Sequence, residues 1–266
     1  MSEPPDIVHP MGVYRFPGRD GAELACREAG SGRPLILLHG FMGNGSYWLD
    51  YGLGNTFVEQ GYRVILPDLR GHGQSTTSHD PAAYPPDVLA DDGLALVEHL
   101  GLGEGEYDLG GYSIGGRVVL RMLARGARPA RAVAAAQGLA KVSGPQGGGV
   151  SQRTLTALVN GQELEPGTPE AGMAGWLTQF GADPQALLHV MRSFVPTPEA
   201  DLRRITVPTL VVIGDRDERS DADKLAALLP NGKYVSVPGD HGSSFTAPEF
   251  LAAMTDFLAD SLGQPA

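Results

Sequence analysis

The chain has little of several features that mark specialised classes of protein. Only one of its 266 residues is cysteine, Cys26, so no disulfide can form within the chain. Lysine and arginine number 20 against 31 acidic residues, and a net charge of -11 leaves no basic stripe for a phosphate backbone. No apolar stretch has the length of a membrane helix. We therefore expect no nucleic-acid or membrane partner, and interpret Cys26 as filler in an early strand.

Two further signals are missing. The first ten residues, MSEPPDIVHP, have neither a basic start nor an apolar run, so we expect no signal peptide and a soluble cytoplasmic protein. The glycine-rich run at 101–105 follows a helical pattern and lacks the G-x-G-x-x-G spacing, which argues against a nucleotide-binding module. What is present is an ordinary globular balance, 42% hydrophobic and 19% charged, in a length that suits one large domain.

Apolar segments alternate with helical patterns along most of the chain, which predicts an α/β fold with a mostly parallel sheet covered on both faces. Strands are predicted near 12–17, 22–28, 34–38, 63–66, 107–109, 130–136, 209–213 and 233–237. Helices are predicted near 86–100, 222–229 and 248–262, and directly after residue 113. The first two strands flank a short turn and predict an antiparallel hairpin.

The alternation breaks over residues 140–206, which begin with the glycine-rich run KVSGPQGGG. An interruption this long inside a compact domain is usually functional. Because Trp176 and Phe180 belong to apolar patterns that could bury a face, we favour a small helical cap over a disordered insertion. The helical patterns within the interruption lie near 151–159, 171–180 and 184–194. The predicted division is a core of 1–139 and 207–266 and a cap of 140–206.

The strongest local signal is Gly111-Tyr112-Ser113-Ile114-Gly115, which stands between a predicted strand and a helical pattern. This is the G-x-S-x-G nucleophile elbow in the context that the motif requires. Glycine on both sides of the serine permits a sharp turn that lifts the hydroxyl clear of the backbone. The pattern predicts Ser113 as a nucleophile.

A serine hydroxyl needs a base to take its proton and a carboxylate to orient that base. Beyond such an elbow the acid and then the histidine are expected in loops after late strands. We favour Asp217 over Asp215 as the acid, although both could instead cap the helix near Asp221. The base is predicted to be His241, in a glycine-flanked loop that could reach Ser113.

An oxyanion formed at Ser113 needs two backbone N–H donors. One is predicted to be Ile114, at the start of the helix after the nucleophile. The other is predicted to be Phe41, beside Gly40 in the loop after the strand at 34–38. The Met42 side chain could line a pocket or belong to the core, and His39 is interpreted as a structural histidine.

Two other groups of residues are assigned mainly to the scaffold. Asp68, Arg70 and His72 follow a strand in a tight loop, and we interpret them as bracing that loop. Tyr47 and Trp48 lie close in sequence to the proposed oxyanion loop, where they could form a pocket wall or pack in the core.

The motifs HGFMG, DLRGHGQS, GYSIGG and GDRD, with the histidine loop, together closely resemble the α/β-hydrolase fold family. The likeness covers the chain apart from the cap and is greatest to small esterases, C–C bond hydrolases and cofactor-free haloperoxidase-like proteins. It implies an eight-stranded, mostly parallel sheet and a triad of Ser113, His241 and Asp217. Tyr112 departs from the histidine that many relatives carry there, and we expect it to alter the pocket wall only.

The expected function is hydrolysis of a small-molecule ester through an acyl-enzyme, without a metal or organic cofactor. Met42, Tyr112 and Trp176 are the predicted wall of the substrate pocket. Two alternatives stay open. One is cleavage of a C–C bond in a diketone-like substrate, and the other is a ligand receptor that keeps the triad geometry with little turnover.

Overall fold

The structure is a computed structural model that describes residues 11–144 and 149–262. Within these residues, eight strands form one sheet. The strands are β1 (Met11–Pro17), β2 (Glu23–Ala29), β3 (Arg33–Leu38), β4 (Tyr62–Pro67), β5 (Asp108–Tyr112), β6 (Arg131–Ala135), β7 (Thr209–Gly214) and β8 (Gly232–Val237). Their order across the sheet is β1-β2-β4-β3-β5-β6-β7-β8. The β1–β2 and β2–β4 pairs are antiparallel and all others are parallel. The predicted fold class and the N-terminal hairpin are confirmed.

Helices connect the parallel strands and form the cap. They are α1 (Tyr47–Asp50), α2 (Leu53–Glu59), α3 (Val88–His99), α4 (Ile114–Ala124), α5 (Leu139–Ser143), α6 (Val150–Val159), α7 (Pro169–Gln179), α8 (Pro184–Arg192), α9 (Glu199–Leu202), α10 (Ala222–Leu228) and α11 (Pro248–Leu262). Short 3-10 turns span Pro81–Ala83 and Ser243–Thr246. Within the described ranges, no helix combines the length and apolar character needed to cross a membrane.

Alternate residues of the central strands enter two separate apolar layers, as the pleat of a strand requires. In β3, Leu35 and Leu37 pack in one layer with α1, α2 and α11, whereas Ile36 and Leu38 pack in the other with α3, α4 and α10. All four side chains are buried. Burial on both faces explains why β3 reads as a continuous apolar run instead of an alternating one.

The predicted cap segment, 140–206, holds most of α5 and all of α6 to α9. Helices α6, α7 and α8 lie at the three predicted positions, whereas the short helices α5 and α9 were not predicted. Helix α8 starts where Pro184 follows Asp183, whose carboxylate accepts the backbone N–H of Ala186 over 3.0 Å. The cap has an apolar cluster of its own: Leu155, Met173, Leu177, Leu187 and Leu188.

Two predictions fall on residues outside those that the structure describes. One is the absence of a signal peptide in residues 1–10. The other is the part of the glycine-rich run at 145–148. The division of the chain into core and cap at residues 139 and 207 stays a prediction.

Candidate active site

Ser113 lies at the sharp turn between β5 and α4, with a backbone φ of 55° and ψ of -118°. A non-glycine residue with positive φ is strained, and such strain is tolerated where the surrounding structure enforces it. A Cβ added at Gly115 would lie 2.3 Å from the carbonyl oxygen of Leu38, and one at Gly111 would lie 2.3 Å from the carbonyl carbon of Gly115. Gly115 therefore permits the close packing of the turn against β3, and Gly111 permits the tight fold of the turn on itself.

Hydrogen bonds from three directions fix the Ser113 backbone. Its N–H donates to the carbonyl oxygen of Ala135 over 3.0 Å, and its own carbonyl accepts the N–H of Arg117 over 3.1 Å. The side chain of Gln137 donates to the same Ser113 carbonyl over 2.5 Å. Gln137 stands just after β6 and was not predicted as a site residue. Together these bonds hold the strained conformation of the serine.

The imidazole of His241 reaches Ser113 from the loop after β8. The Ser113 Oγ lies 2.9 Å from the His241 Nε2. The Asp240 carboxylate shapes this loop, because its Oδ1 accepts the N–H of Gly242 over 3.1 Å and the N–H of Ser243 over 2.9 Å. The imidazole is part-exposed, so it can exchange a proton with a bound substrate or water.

Asp217 lies on the far side of the imidazole, with its Oδ2 2.7 Å from the His241 Nδ1. Burial alone would raise the pKa of Asp217, but hydrogen bonds from His241 and from the Arg219 backbone N–H hold that pKa below its usual range. The neighbouring carboxylate points elsewhere: Asp215 accepts the Gly239 N–H over 2.9 Å. Of the two candidate acids, the structure brings Asp217 to the histidine.

Arg219 stands against both members of that pair and was missed in the sequence. Its Nη1 lies 3.0 Å from the Asp217 Oδ1 and 2.7 Å from the His241 Nδ1. The Arg219 side chain is largely buried, and its other acidic neighbour, Glu218, is exposed and 3.7 Å away. A full positive charge therefore sits beside the buried carboxylate. The sequence does not indicate this contact, because the spacing of Arg219 from Asp217 does not show that the guanidinium folds back onto the pair.

The predicted oxyanion donors belong to the two segments that flank Ser113. A Cβ added at Gly40 would lie 3.7 Å from the Ser113 Cβ, so the loop after β3 passes directly beside the nucleophile. Ile114 is the first residue of α4, where a backbone N–H has no acceptor within its own helix. The roles of Phe41 and Ile114 as donors stay predictions.

His39 fixes the peptide group between Gly40 and Phe41. Its Nε2 accepts the Leu69 N–H over 2.9 Å, so the ring proton is on Nδ1, which lies 2.7 Å from the Gly40 carbonyl oxygen. Burial lowers the pKa of His39 to about 3, which keeps the ring neutral. The Gly43 N–H donates to the same carbonyl over 3.0 Å. Because the peptide is trans and planar, the Phe41 N–H points away from these bonds.

The loop after β4 contacts the same segment at the carbonyl oxygen of Phe41. The His72 Nε2 lies 2.7 Å from the Phe41 carbonyl oxygen, and its Nδ1 lies 3.0 Å from that of Arg70. The Asp68 carboxylate is buried and accepts the Gly45 N–H over 2.7 Å. These are contacts of a scaffold, as the sequence indicated.

Tyr112 precedes the nucleophile and is almost completely buried. Its hydroxyl donates to the His241 carbonyl oxygen over 2.6 Å and lies 2.9 Å from the Ser244 Oγ. The two rings of Tyr112 and His241 are 5.9 Å apart. Its predicted place in the pocket wall stays untested, whereas its link to the histidine loop is a contact that the sequence did not indicate.

The other predicted wall residues lie at different depths. Phe41 and Met42 pack against the apolar cluster of the cap, which places this cluster next to the loop that follows β3. Trp176 is 58% exposed on α7 and does not belong to that cluster, so its place in a pocket stays a prediction. Trp48 is fully buried in the core, and Tyr47 is half-buried beside it.

The site therefore combines a hydroxyl, an imidazole, a carboxylate and a guanidinium. This set can transfer a proton and form a bond between the hydroxyl oxygen and an acyl carbon. No group of three or more metal-ligating side chains occurs among the residues that the structure describes. The expectation that no metal or organic cofactor is needed stays a prediction.

Residues 35–254 match the sequence profile of the Alpha/beta hydrolase family. The chain belongs to this family. It is 31% identical over 254 residues to the non-heme chloroperoxidase CPO-A1 of Kitasatospora aureofaciens, an alignment that covers 84% of this chain and 90% of that protein.

Solved structures of similar architecture carry two kinds of name. A bromoperoxidase from Bacillus anthracis superposes with a TM-score of 0.73 at 25% identity, over 94% of this chain and 100% of that one. The esterase RhEst1 from Rhodococcus sp. ECU1013 superposes with a TM-score of 0.71 at 25% identity, over 95% of this chain and 100% of that one. These likenesses agree in the fold of the chain but not in one reaction.

Proposed function

We propose that this protein is a serine hydrolase that cleaves a small-molecule ester through an acyl-enzyme. The observation that carries the proposal is the continuous contact from the Ser113 Oγ to the His241 Nε2 and from the His241 Nδ1 to the Asp217 carboxylate, over 2.9 Å and 2.7 Å. This is the geometry in which an imidazole can take the proton of a serine while a carboxylate holds the ring.

In the first half of the reaction, the His241 Nε2 takes the Ser113 proton as Oγ bonds to the substrate carbonyl carbon. The carbonyl oxygen becomes an oxyanion, which the Phe41 and Ile114 N–H groups stabilise. The C–O bond to the alcohol then breaks, and His241 gives its proton to the departing oxygen. The acyl group is left as an ester of Ser113.

In the second half, a water molecule loses a proton to His241 and attacks the acyl carbon. The acid leaves and Ser113 regains its proton. Throughout, Asp217 holds the ring in one tautomer and stabilises its charged form. Its lowered pKa keeps the carboxylate ionised for this task.

The surroundings support an uncharged, apolar substrate. The oxyanion loop carries the side chains of Phe41 and Met42, and both pack towards the cap, whose facing cluster consists of leucine and methionine. An apolar acyl or alcohol group could bury its surface there at a gain of about 25 cal/mol per Å². Small alkyl or aryl esters fit this environment better than charged substrates.

The test compares Ser113→Ala with Ser143→Ala, whose hydroxyl bonds to the Leu139 carbonyl within the short helix α5. Hydrolysis of short p-nitrophenyl esters should fall to background in the first variant and persist in the second, with both folded by circular dichroism. Undiminished turnover by Ser113→Ala would rule the mechanism out. A wild-type protein that reacts with a fluorophosphonate at Ser113 but turns over no ester would favour a ligand receptor.

A second candidate is suggested by the chloroperoxidase name of the relative at 31% identity. Hydrogen peroxide can replace water in the second half-reaction, because a peroxide oxygen attacks an acyl carbon in the same way. The peroxide would lose a proton to His241, and a peroxy acid would leave instead of an acid. Incubation with ester and hydrogen peroxide, followed by assay for peroxy acid, distinguishes the two outcomes; both require Ser113.

A further inference from the structure

The Tyr112 hydroxyl joins two parts of the site that lie far apart in the fold. Tyr112 ends β5 directly before the nucleophile, whereas His241 follows β8 at the edge of the sheet. Strands β6 and β7 lie between them. The loop after β8 must therefore reach back across two strands before its imidazole can meet Ser113.

The Tyr112 hydroxyl makes two hydrogen bonds, one as donor and one as acceptor. The Tyr112 O–H donates to the His241 carbonyl over 2.6 Å, so the Ser244 O–H is the donor in the 2.9 Å contact between the two hydroxyls. Both Tyr112 and Ser244 are buried. The Tyr112 ring packs against Phe245 and Phe250, with ring centroids 4.8 Å and 5.5 Å apart. Burial raises the pKa of Tyr112 to about 12, so the hydroxyl can donate at neutral pH.

The two contacts on His241 have different effects. Asp217 bonds to the ring nitrogen and sets the rotation of the imidazole. Tyr112 bonds to the main chain of the same residue and sets where its Cα stands relative to Ser113. The Asp240 carboxylate shapes the loop internally but does not tie it to the central strand. We propose that Tyr112 is a positioning residue, whose hydroxyl holds the backbone of the general base at the distance needed for proton transfer from the adjacent nucleophile.

This inference rests on the proposed function, and its test uses a matched pair of variants. Tyr112→Phe removes the hydroxyl and keeps the ring. The control is Tyr62→Phe, because Tyr62 is also fully buried and its hydroxyl donates to the Leu258 carbonyl over 2.8 Å, on β4. Each variant leaves one backbone carbonyl without its tyrosine donor, and Tyr112→Phe also leaves the Ser244 hydroxyl without its tyrosine acceptor, so Tyr112→Phe should lose at least as much thermal stability as Tyr62→Phe.

We expect Tyr112→Phe to lower kcat for a p-nitrophenyl ester by roughly 10-fold to 100-fold with little change in KM, from the loss of the hydrogen bond to the His241 carbonyl. The rate of fluorophosphonate labelling of Ser113 should fall in parallel. Tyr62→Phe should keep both rates within about 2-fold of wild type. Wild-type rates for Tyr112→Phe, or equal losses of kcat in both variants, would overturn the inference.

A readout without substrate separates this inference from the proposed function. The His241 Nδ1 proton shared with Asp217 should give a low-field proton NMR signal in the wild type that broadens or shifts in Tyr112→Phe but not in Tyr62→Phe. If wild-type Ser113 neither reacts with the probe nor turns over esters, the proposed function fails while this signal still decides the role of Tyr112. An identical signal in wild type and Tyr112→Phe would refute the positioning role.

Discussion

The Nδ1 of His39 lies 2.7 Å from the carbonyl oxygen of Gly40, in the loop that passes beside the nucleophile. This bond turns one peptide group so that its carbonyl faces the interior and its N–H, that of Phe41, faces the opposite way. The buried His39 therefore fixes the direction of the N–H that is predicted to be an oxyanion donor.

His39→Ala should therefore lower kcat by up to about 10²-fold, because one oxyanion donor is no longer held in place. The measurement is kcat on a p-nitrophenyl ester beside the melting temperature. His99→Ala is the control, since His99 is an exposed residue at the end of α3. A His39→Ala protein that melts early but keeps wild-type kcat would contradict this role of His39.

Arg219 should contribute to stability through the Asp217 carboxylate. Arg219→Met removes a largely buried guanidinium whose Nη1 lies 3.0 Å from the Oδ1 of the fully buried Asp217 carboxylate. We expect the free energy of unfolding to fall by about 1–3 kcal/mol. In the matched variant Arg216→Met, the lost pair with Asp215 is exposed, and the change should stay below about 0.5 kcal/mol. Urea unfolding measures the free energy of unfolding of both variants. Equal losses in the two would contradict a stabilising contact between Arg219 and Asp217.

The glycines of the elbow should tolerate no side chain. Gly115→Ala places a Cβ 2.3 Å from the Leu38 carbonyl oxygen, a contact that backbone atoms cannot relieve cheaply. We expect both stability and esterase activity to be lost. Gly172 in α7 has open space at its Cβ position, so Gly172→Ala should raise stability by up to about 1 kcal/mol through helix propensity. Thermal unfolding of the two variants checks the contrast; a stable, active Gly115→Ala protein would be inconsistent with the packing of the turn.

The pH dependence of kcat/KM should show one ionisation on its acid side. The pKa of Asp217 is held below its usual range, so this carboxylate stays ionised and adds no ionisation of its own to the acid limb. Because the pKa of Asp217 is lower in the folded state, the ionised carboxylate stabilises the fold at pH values above its unfolded-state pKa. This stabilisation is lost as the pH falls through the lowered pKa. Loss of activity should therefore precede acid unfolding. An acid limb with a log slope near two would mean that Asp217 contributes a second ionisation, which would contradict this prediction.

Some of this site was readable in the sequence because the signal is local. The glycines around Ser113 stand in one turn between a strand and a helix, and that turn is where the structure places the serine. The sequence does not separate Asp215 from Asp217, since both lie in one loop and only the fold shows that Asp215 accepts the Gly239 N–H instead.

Other contacts could not be read from spacing. Tyr112, on β5, contacts the loop that follows β8, a strand three positions away in the sheet, and Gln137 reaches the Ser113 carbonyl from just beyond the end of β6. Each depends on how the strands are ordered, which local patterns do not encode. Trp176 shows the converse: an aromatic residue in an apolar helical pattern stands 58% exposed, because the neighbouring positions Met173 and Leu177 fill the core of the cap.

The most direct test of the account is to trap the covalent intermediate. Wild-type protein is mixed with a p-nitrophenyl ester, quenched in acid within the first turnovers, digested and analysed by mass spectrometry. The acyl-enzyme mechanism predicts one acyl group on the peptide that contains Ser113, and none in Ser113→Ala. Rapid ester turnover with no acyl group on Ser113, at a rate that Ser113→Ala retains, would contradict it.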